Sequence, residues 1–154
     1  MKCYRSGLMF KYLLIGIGMV FMISGCSTSD DAINMGNIDE HLGKENVQYV
    51  ELREVSEMAT AGYIDGFEII PFHSLIIGEG LLYLPSNYTF RPEHILNEEA
   101  IFALFDREKT IYLSCRTGNR TTFMGQALEY LGYEVVNVGG IVDYRGNNRI
   151  YPHQ

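Results

Sequence analysis

The sequence predicts an α/β domain in which a central, mostly parallel sheet is flanked by helices. Segments rich in β-forming residues alternate along the chain with segments of helical apolar spacing, and this order is typical of parallel sheets. Hydrophobic residues make up 47% and charged residues 20% of the 154 residues, which is a globular composition. No internal repeat or low-complexity tract is present, so one compact domain is expected after the N-terminal segment.

The first 25 residues are predicted to be an export signal. Three positive charges precede a run of twelve apolar or glycine residues at 12–23, and as a helix this run is only about 18 Å long against the roughly 30 Å of a bilayer core. The closing Ile23-Ser24-Gly25-Cys26 resembles the bacterial lipobox, which implies a lipoprotein signal peptide at 1–25 and lipidation of Cys26.

The predicted domain organisation follows from this signal. Residues 26–45 shift to Ser, Asp, Asn and Gly and are predicted to be a flexible tether, and residues 46–154 are predicted to be the folded domain. The protein is expected to be exported and held by its lipid in the cell envelope. The anchor would lie at the outer face of the cytoplasmic membrane or at the periplasmic face of an outer membrane.

Each element of the folded part has a local signal. Ser56 is expected to cap a helix that Gly62 ends, Asn97 to cap a second helix, and Gly132 to end a third. Gly139-Gly140 reads as a turn, and the segment 73–96 has no clear period. The predicted strands are 47–52, 67–72, 110–114 and 134–138, and the predicted helical segments are 56–61, one from 98 onward, one through 123–131, and a short one at 141–144.

The candidate reactive residue is Cys115, the only cysteine after the predicted lipidation site at Cys26. It stands where a buried strand ends and a polar loop leads into a helix, so backbone N–H groups and the positive end of the helix dipole face its sulfur. Arg116 and Arg120 add positive charge to the same loop. These features stabilise a thiolate or a persulfide anion and predict a nucleophile.

The length of this loop indicates which anion it holds. Four residues, Arg116, Thr117, Gly118 and Asn119, separate Cys115 from Arg120. Five residues separate the cysteine and arginine in the wider phosphate cradle of protein tyrosine phosphatases. The shorter loop therefore favours one sulfur atom over a phosphoryl group.

The loop resembles the CxxGxR active-site loop of single-domain rhodaneses, which are sulfurtransferases. Three further motifs resemble that family in the same order: 49–57 its "D-V-R-x-x-x-E", 61–67 its "A-G-H-I-x-G-A", and 131–140 its "G-Y... L-x-G-G". Glu51 replaces the usual Asp, Tyr63 the usual His, and Tyr144 lies near the usual Trp. The resemblance covers about 47–144 and implies a rhodanese-like fold.

The resemblance also implies a mechanism and roles for the site residues. Cys115 would take the outer sulfur of a donor such as thiosulfate as a persulfide and pass it to a thiol or cyanide. The amides of 116–120 would hold the persulfide, and Arg116 would meet an anionic donor. Arg120 is expected to brace the loop against an acid such as Glu51, while Glu51 and Arg53 are predicted to be structural supports. No cofactor is implied.

Other classes of function remain open or are disfavoured. A non-catalytic module that binds sulfide or a partner protein would use the same fold. A phosphatase-like or arsenate-reducing activity is disfavoured by loop length. Acidic net charge, −7 for the whole chain, argues against nucleic acid as a partner. The four histidines show no metal-site spacing, no metal is predicted, and no oligomeric state is indicated.

Overall fold

The computed structural model describes residues 32–152. The elements are β1 (Val47–Glu51), α1 (Val55–Ala61), β2 (Tyr63–Ile64), β3 (Glu68–Ile69), α2 (Glu98–Leu104), β4 (Thr110–Cys115), α3 (Asn119–Tyr130), β5 (Val135–Gly140) and β6 (Arg149–Ile150). A four-stranded parallel sheet has the order β3-β1-β4-β5, and β2 and β6 form a separate antiparallel pair. The predicted α/β class is confirmed.

The sheet register brings the ends of three strands together. Strands β1 and β4 pair from Val47 opposite Thr110 to Glu51 opposite Ser114. A register shift between Leu113 and Ser114 then places Cys115 opposite Gly140 of β5. Parallel strands carry their carboxyl ends at one edge of the sheet, where open α/β sheets bind ligands. The loop after Cys115 therefore lies at this edge.

Both faces of the sheet are buried, as is usual for parallel sheets. One hydrophobic cluster packs α2 and α3 against the sheet through residues such as Leu113 and Phe123. The other cluster covers the opposite face and includes Tyr49, Tyr112 and Tyr144. The strand that ends in Cys115 is thus fixed from both sides.

Of the two N-terminal helix caps predicted from the sequence, the structure confirms one and replaces the other. The Asn97 side chain accepts a hydrogen bond from the Ala100 N–H, as predicted. Helix α1 is capped by Glu54 rather than by Ser56. The Glu57 carboxylate accepts a hydrogen bond from the Glu54 N–H at 2.9 Å, and the helix begins one residue before Ser56.

The folded domain begins earlier than residue 46, which corrects the far end of the predicted tether. A 3-10 helix spans Ile38–His41, and Met35 and Ile38 are buried in the second cluster. The Tyr144 hydroxyl donates a hydrogen bond to Asp39 at 2.7 Å, which fastens this segment to the C-terminal part of the chain. Met35 precedes the 3-10 helix and Ile38 is its first residue, and burial of both apolar side chains holds the segment against the domain. The predicted signal peptide at 1–25, Cys26 and the tether up to 31 lie outside the described residues.

The segment 73–96 forms an ordered excursion without a regular hairpin. A π-helix spans Phe72–Ile77, and a single bridge joins Leu82 to Ile95. The aromatic rings of Tyr88, Phe90 and His94 pack against Phe123 of α3. The excursion thus covers α3.

Two strands differ in extent from the prediction. Strand β3 has two residues rather than six, because the chain beyond it turns into the π-helix. Gly139 and Gly140 end β5 instead of forming a turn, and the predicted short helical stretch follows as a 3-10 helix at Ile141–Asp143. Within 32–152, no helix is both long and apolar enough to cross a membrane.

Candidate active site

Cys115 is the last residue of β4 and is 1% exposed. The Gly118 N–H donates a hydrogen bond to its sulfur at 3.1 Å. The thiol in turn faces the Thr121 hydroxyl oxygen at 4.0 Å, and that hydroxyl donates to the Gly118 carbonyl at 2.7 Å. A backbone donor aimed at sulfur is the feature expected of a site that stabilises a sulfur anion.

Gly118 lets the backbone of the loop turn sharply into α3. Its φ of 101° is left-handed, a conformation that glycine adopts without steric penalty. The Gly118 carbonyl accepts hydrogen bonds from the Thr122 N–H and from the hydroxyls of Thr121 and Thr122. The loop is therefore continuous with the first turn of α3, whose N-terminal end lies beside Cys115.

Gly140 packs against the other side of the loop. A Cβ atom at this position would collide with the Arg116 carbonyl oxygen and would lie 2.7 Å from the Thr117 Cα. The Arg116 carbonyl also accepts a hydrogen bond from the Val142 N–H at 3.4 Å. Gly140 is thus required for the close approach of β5 to the backbone of Arg116 and Thr117. The prediction of a turn at Gly139-Gly140 missed this role.

Arg120 is braced by Glu57, and the expectation that Glu51 would do so is wrong. Its Nη1 and Nη2 lie 2.6 and 2.8 Å from the two carboxylate oxygens of Glu57, and Nη1 also donates to the Leu52 carbonyl at 3.2 Å. These hydrogen bonds lower the pKa of Glu57 from its ordinary 4.5 to about 2. Glu57 is the final acid of the motif at 49–57, so its position in that motif was the available signal.

Glu51 instead forms a salt bridge with Arg53. Both side chains are 1% exposed, and Arg53 Nη2 lies 2.9 Å from Glu51 Oε2 and 2.8 Å from the Gly62 carbonyl. Glu51 also accepts from the Arg53 N–H. Glu51 is the last residue of β1, and its Oε2 also lies 3.5 Å from the Ser114 hydroxyl of β4. The Arg53 Nε is buried and has no hydrogen-bond partner among the described residues.

A cavity of about 340 Å³ lies beside the loop. Arg116 is the loop residue that reaches it, and its side chain is exposed and forms no salt bridge within the described chain. Thr117 and Asn119, the other two polar residues of the loop, are also exposed. The cavity is lined by Arg53, Glu57, Thr60 and Ala61 on one side and by Arg116, Ile141 and Val142 on the other.

Two of the histidines within residues 32–152 take part in packing. His94 stacks against Phe123 and accepts from the Arg91 N–H, and His73 packs edge-on against Phe72. Over residues 32–152, no three His, Cys, Asp or Glu side chains are grouped so that they could hold a metal ion.

The fold and the site define a small α/β domain with a cysteine in a strand-to-helix loop that is braced by an ion pair. Residues 35–147 match the rhodanese-like domain family, and the chain belongs to this family.

Solved structures show the same fold. A protein from Staphylococcus saprophyticus subsp. saprophyticus is similar at a TM-score of 0.53 and 26% identity, over 78% of this chain and 98% of that one. A rhodanese-like domain protein from Staphylococcus aureus is similar at a TM-score of 0.50 and 22% identity, over 74% and 89%. No curated protein matches the chain.

Proposed function

We propose that the protein is a sulfurtransferase that carries a sulfane sulfur as a persulfide on Cys115. The observation that carries this proposal is the Gly118 N–H, which donates to the Cys115 sulfur at 3.1 Å at the N-terminal end of α3. Such a donor stabilises a negative charge on sulfur before and after the transfer. Covalent catalysis of this kind splits one transfer into two easier steps.

The two half-reactions balance without a cofactor. The Cys115 thiolate attacks the outer sulfur of thiosulfate, the S–S bond breaks, and sulfite leaves with the electron pair, so Cys115 becomes a persulfide anion. An acceptor such as a thiolate or cyanide then attacks the outer sulfur, and Cys115 leaves as a thiolate. Charge is conserved in each step, and the sulfur passes between nucleophiles with no external oxidant.

The engagement of Arg120 favours sulfur transfer over phosphoryl transfer. Both of its terminal nitrogens are used by Glu57, and one is also used by the Leu52 carbonyl. A phosphoryl group needs cationic donors directed at its oxygens in the transition state. With Arg120 engaged, Arg116 is the loop cation left to meet an anionic donor.

We further propose that the chain acts in the cell envelope as a lipoprotein anchored through Cys26. Support comes from the charged, apolar and lipobox-like segments of 1–26 in the sequence. A Cys26→Ser variant is expected to lose the acylated mass and to leave the membrane fraction. Retention in an acylated form would refute this assignment.

The decisive experiment is intact mass spectrometry of the full chain in detergent, wild type and Cys115→Ser, after incubation with thiosulfate and removal of excess. The expected result is a gain of about 32 Da, one sulfur, on the wild type that Cys115→Ser lacks and that cyanide reverses. Comparison with Cys115→Ser also corrects for sulfur taken up by Cys3 or Cys26. A folded protein that forms no adduct with any sulfane donor would instead support a non-catalytic module that binds sulfide or a partner.

A further inference from the structure

Three arginines without salt-bridge partners lie together beside the cysteine loop, residues 115–120. Of the nine arginines and lysines in residues 32–152, four form salt bridges within the described chain. Three of the other five are Arg116 in the loop and Arg145 and Arg149, which follow β5. The whole chain has a net charge of −7, so these three cations form a basic surface on an acidic protein.

Hydrogen bonds hold the three arginines against one stretch of backbone after β5. The Val142 N–H donates to the Arg116 carbonyl at 3.4 Å, and Arg145 Nη1 donates to the Val142 carbonyl at 2.9 Å. Arg149 Nη2 donates to the Ile141 carbonyl at 3.0 Å. Asp143 is the one acid between 141 and 151, so the positive charge of this surface is in excess.

Exposed apolar side chains lie among these cations. Ala61 lines one cavity with Arg116 and Val142, and a Cβ atom on the next residue, Gly62, would lie 3.1 Å from Tyr151. Membrane-interface surfaces combine basic residues with apolar and aromatic ones in this way. The exposed fractions of Val142, Ile150 and Tyr151 are 49%, 37% and 39%. We name the basic surface by six residues: Arg116, Val142, Arg145, Arg149, Ile150 and Tyr151.

The N-terminal segment lies beside the same loop. Asn34 and Met35 line a cavity together with Gly118 of the cysteine loop and with Asp143. Six residue steps separate Cys26 from Ala32 in the sequence, and an extended chain of that length spans at most about 22 Å. A lipid on Cys26 is therefore attached within that distance of the start of the described chain.

We infer that the basic surface docks on the anionic lipid surface of the membrane that holds the anchor. This inference rests on the proposed lipid anchor at Cys26. The three arginines attract anionic headgroups, and each one near such a surface favours the docked state about fivefold. An acidic protein would also attract these cations, but the short link to Cys26 brings the lipid surface to them. Docking places the cysteine loop at the membrane surface.

The test uses a label whose fluorescence rises when it leaves water. In a Cys115→Ser background, Val142→Cys or Tyr130→Cys is labelled with nitrobenzoxadiazole, so the new cysteine is the sole free thiol of the processed and lipidated chain. Tyr130 provides the matched control because it is 59% exposed and ends α3, about 17 Å along the helix from Asn119. The acylated protein is reconstituted in nanodiscs of phosphatidylcholine, alone or with about 30% phosphatidylglycerol.

The emission of the label at position 142 should rise at least twofold with phosphatidylglycerol, and that of the label at position 130 should stay constant. Fluorescence lifetimes give the ratio of docked to undocked protein. Arg145→Gln should lower this ratio about fivefold, because one positive charge is lost, whereas Arg145→Lys should keep it. Arg91→Gln is a further control, since Arg91 is paired with Glu93 and lies outside the basic surface.

Equal responses of the two labels, or a response at position 142 that is the same in both lipid compositions, would overturn the inference while the anchor stands. A loss in Arg145→Lys as large as in Arg145→Gln would assign the effect to the hydrogen bonds of Arg145 and would overturn it as well. Intact mass of the same samples reports the acyl group, and its absence would overturn both the anchor and the docking. Persulfide formation in detergent tests the sulfurtransferase function separately.

Discussion

Arg120 and Glu57 form a bidentate ion pair, with Nη1 2.6 Å from Oε2 and Nη2 2.8 Å from Oε1. The pair joins the last residue of the cysteine loop to α1, across 63 positions of sequence. Glu57 Oε2 also accepts a hydrogen bond from the Glu54 N–H at the N-terminus of the same helix. One carboxylate thus caps a helix and fixes the loop.

Replacement of Glu57 by Gln is expected to lower the free energy of unfolding by about 1 to 2 kcal/mol, because charge-assisted hydrogen bonds to a partly buried arginine are lost. Urea unfolding of both proteins measures the difference. The control is Glu93→Gln, since Arg91 and Glu93 are 3.7 Å apart and 69% and 65% exposed. That change should cost no more than a few tenths of a kcal/mol. Equal effects in the two variants would contradict the bracing role.

The Glu57 ion pair should also make stability depend on pH in a defined window. The pKa of Glu57 is about 2 in the folded chain against an ordinary 4.5. Because the pKa is lower in the folded chain, the ionised carboxylate stabilises the fold. This stabilisation is complete above about pH 4.5 and is lost as the pH falls toward 2. The difference in unfolding free energy between wild type and Glu57→Gln should therefore be constant near neutral pH and shrink below pH 4.5. A difference that is unchanged down to pH 2.5 would show that the carboxylate is not the titrating group.

Gly140→Ala should impair persulfide formation on Cys115. The new Cβ would meet the Arg116 carbonyl and the Thr117 Cα at 2.7 Å, so the loop must move. We expect at least a tenfold loss in the rate of persulfide formation, because a misplaced loop loses its aligned donors. Gly125→Ala is the control, since its Cβ would lie an ordinary 3.6 Å from Val135 and would favour helix α3. A Gly140→Ala protein as active as Gly125→Ala would argue against loop packing on β5.

Arg53→Met should destabilise the domain by about 3 to 5 kcal/mol, because it leaves the Glu51 charge buried without its partner. Replacing both residues, Glu51→Leu with Arg53→Met, should recover at least 1 kcal/mol of that loss, since no buried charge then remains. Chemical denaturation of the two variants and the wild type provides the measurement. A double variant less stable than Arg53→Met would mean that Glu51 has other essential partners.

The start of the folded domain can be tested with two truncated chains. A chain that begins at residue 32 should keep its stability, whereas one that begins at residue 46 should lose several kcal/mol. The second chain lacks Met35 and Ile38, which are 2% and 0% exposed, and the Asp39 bond to Tyr144. Burial of side chains of this size contributes about 1.5 to 3 kcal/mol each. Equal midpoints in thermal unfolding would show that residues 32–45 add nothing to the core.

The architecture was largely predictable because its signals are local. The alternation of strands and helices, the Asn97 cap and the β4–loop–α3 unit each depend on neighbouring residues, and the structure confirms them. Helix α1 begins one residue earlier than predicted because the Glu57 carboxylate accepts a hydrogen bond from the N–H of Glu54, which becomes the N-cap residue in place of Ser56. The segment 73–96 could not be predicted, since its path follows the packing of aromatic rings on Phe123.

The sequence by itself determined the α/β class, the single cysteine after Cys26, and the loop of Cys115 to Arg120, because adjacent residues define each of them. The tertiary structure alone decided that Arg120 pairs with Glu57 rather than Glu51, that the loop packs closely against Gly140, and that Met35 belongs to the core. These choices depend on sheet register and on competition for partners. Arg53 lies two residues from Glu51 and is buried with it, so Glu51 is no longer free for Arg120.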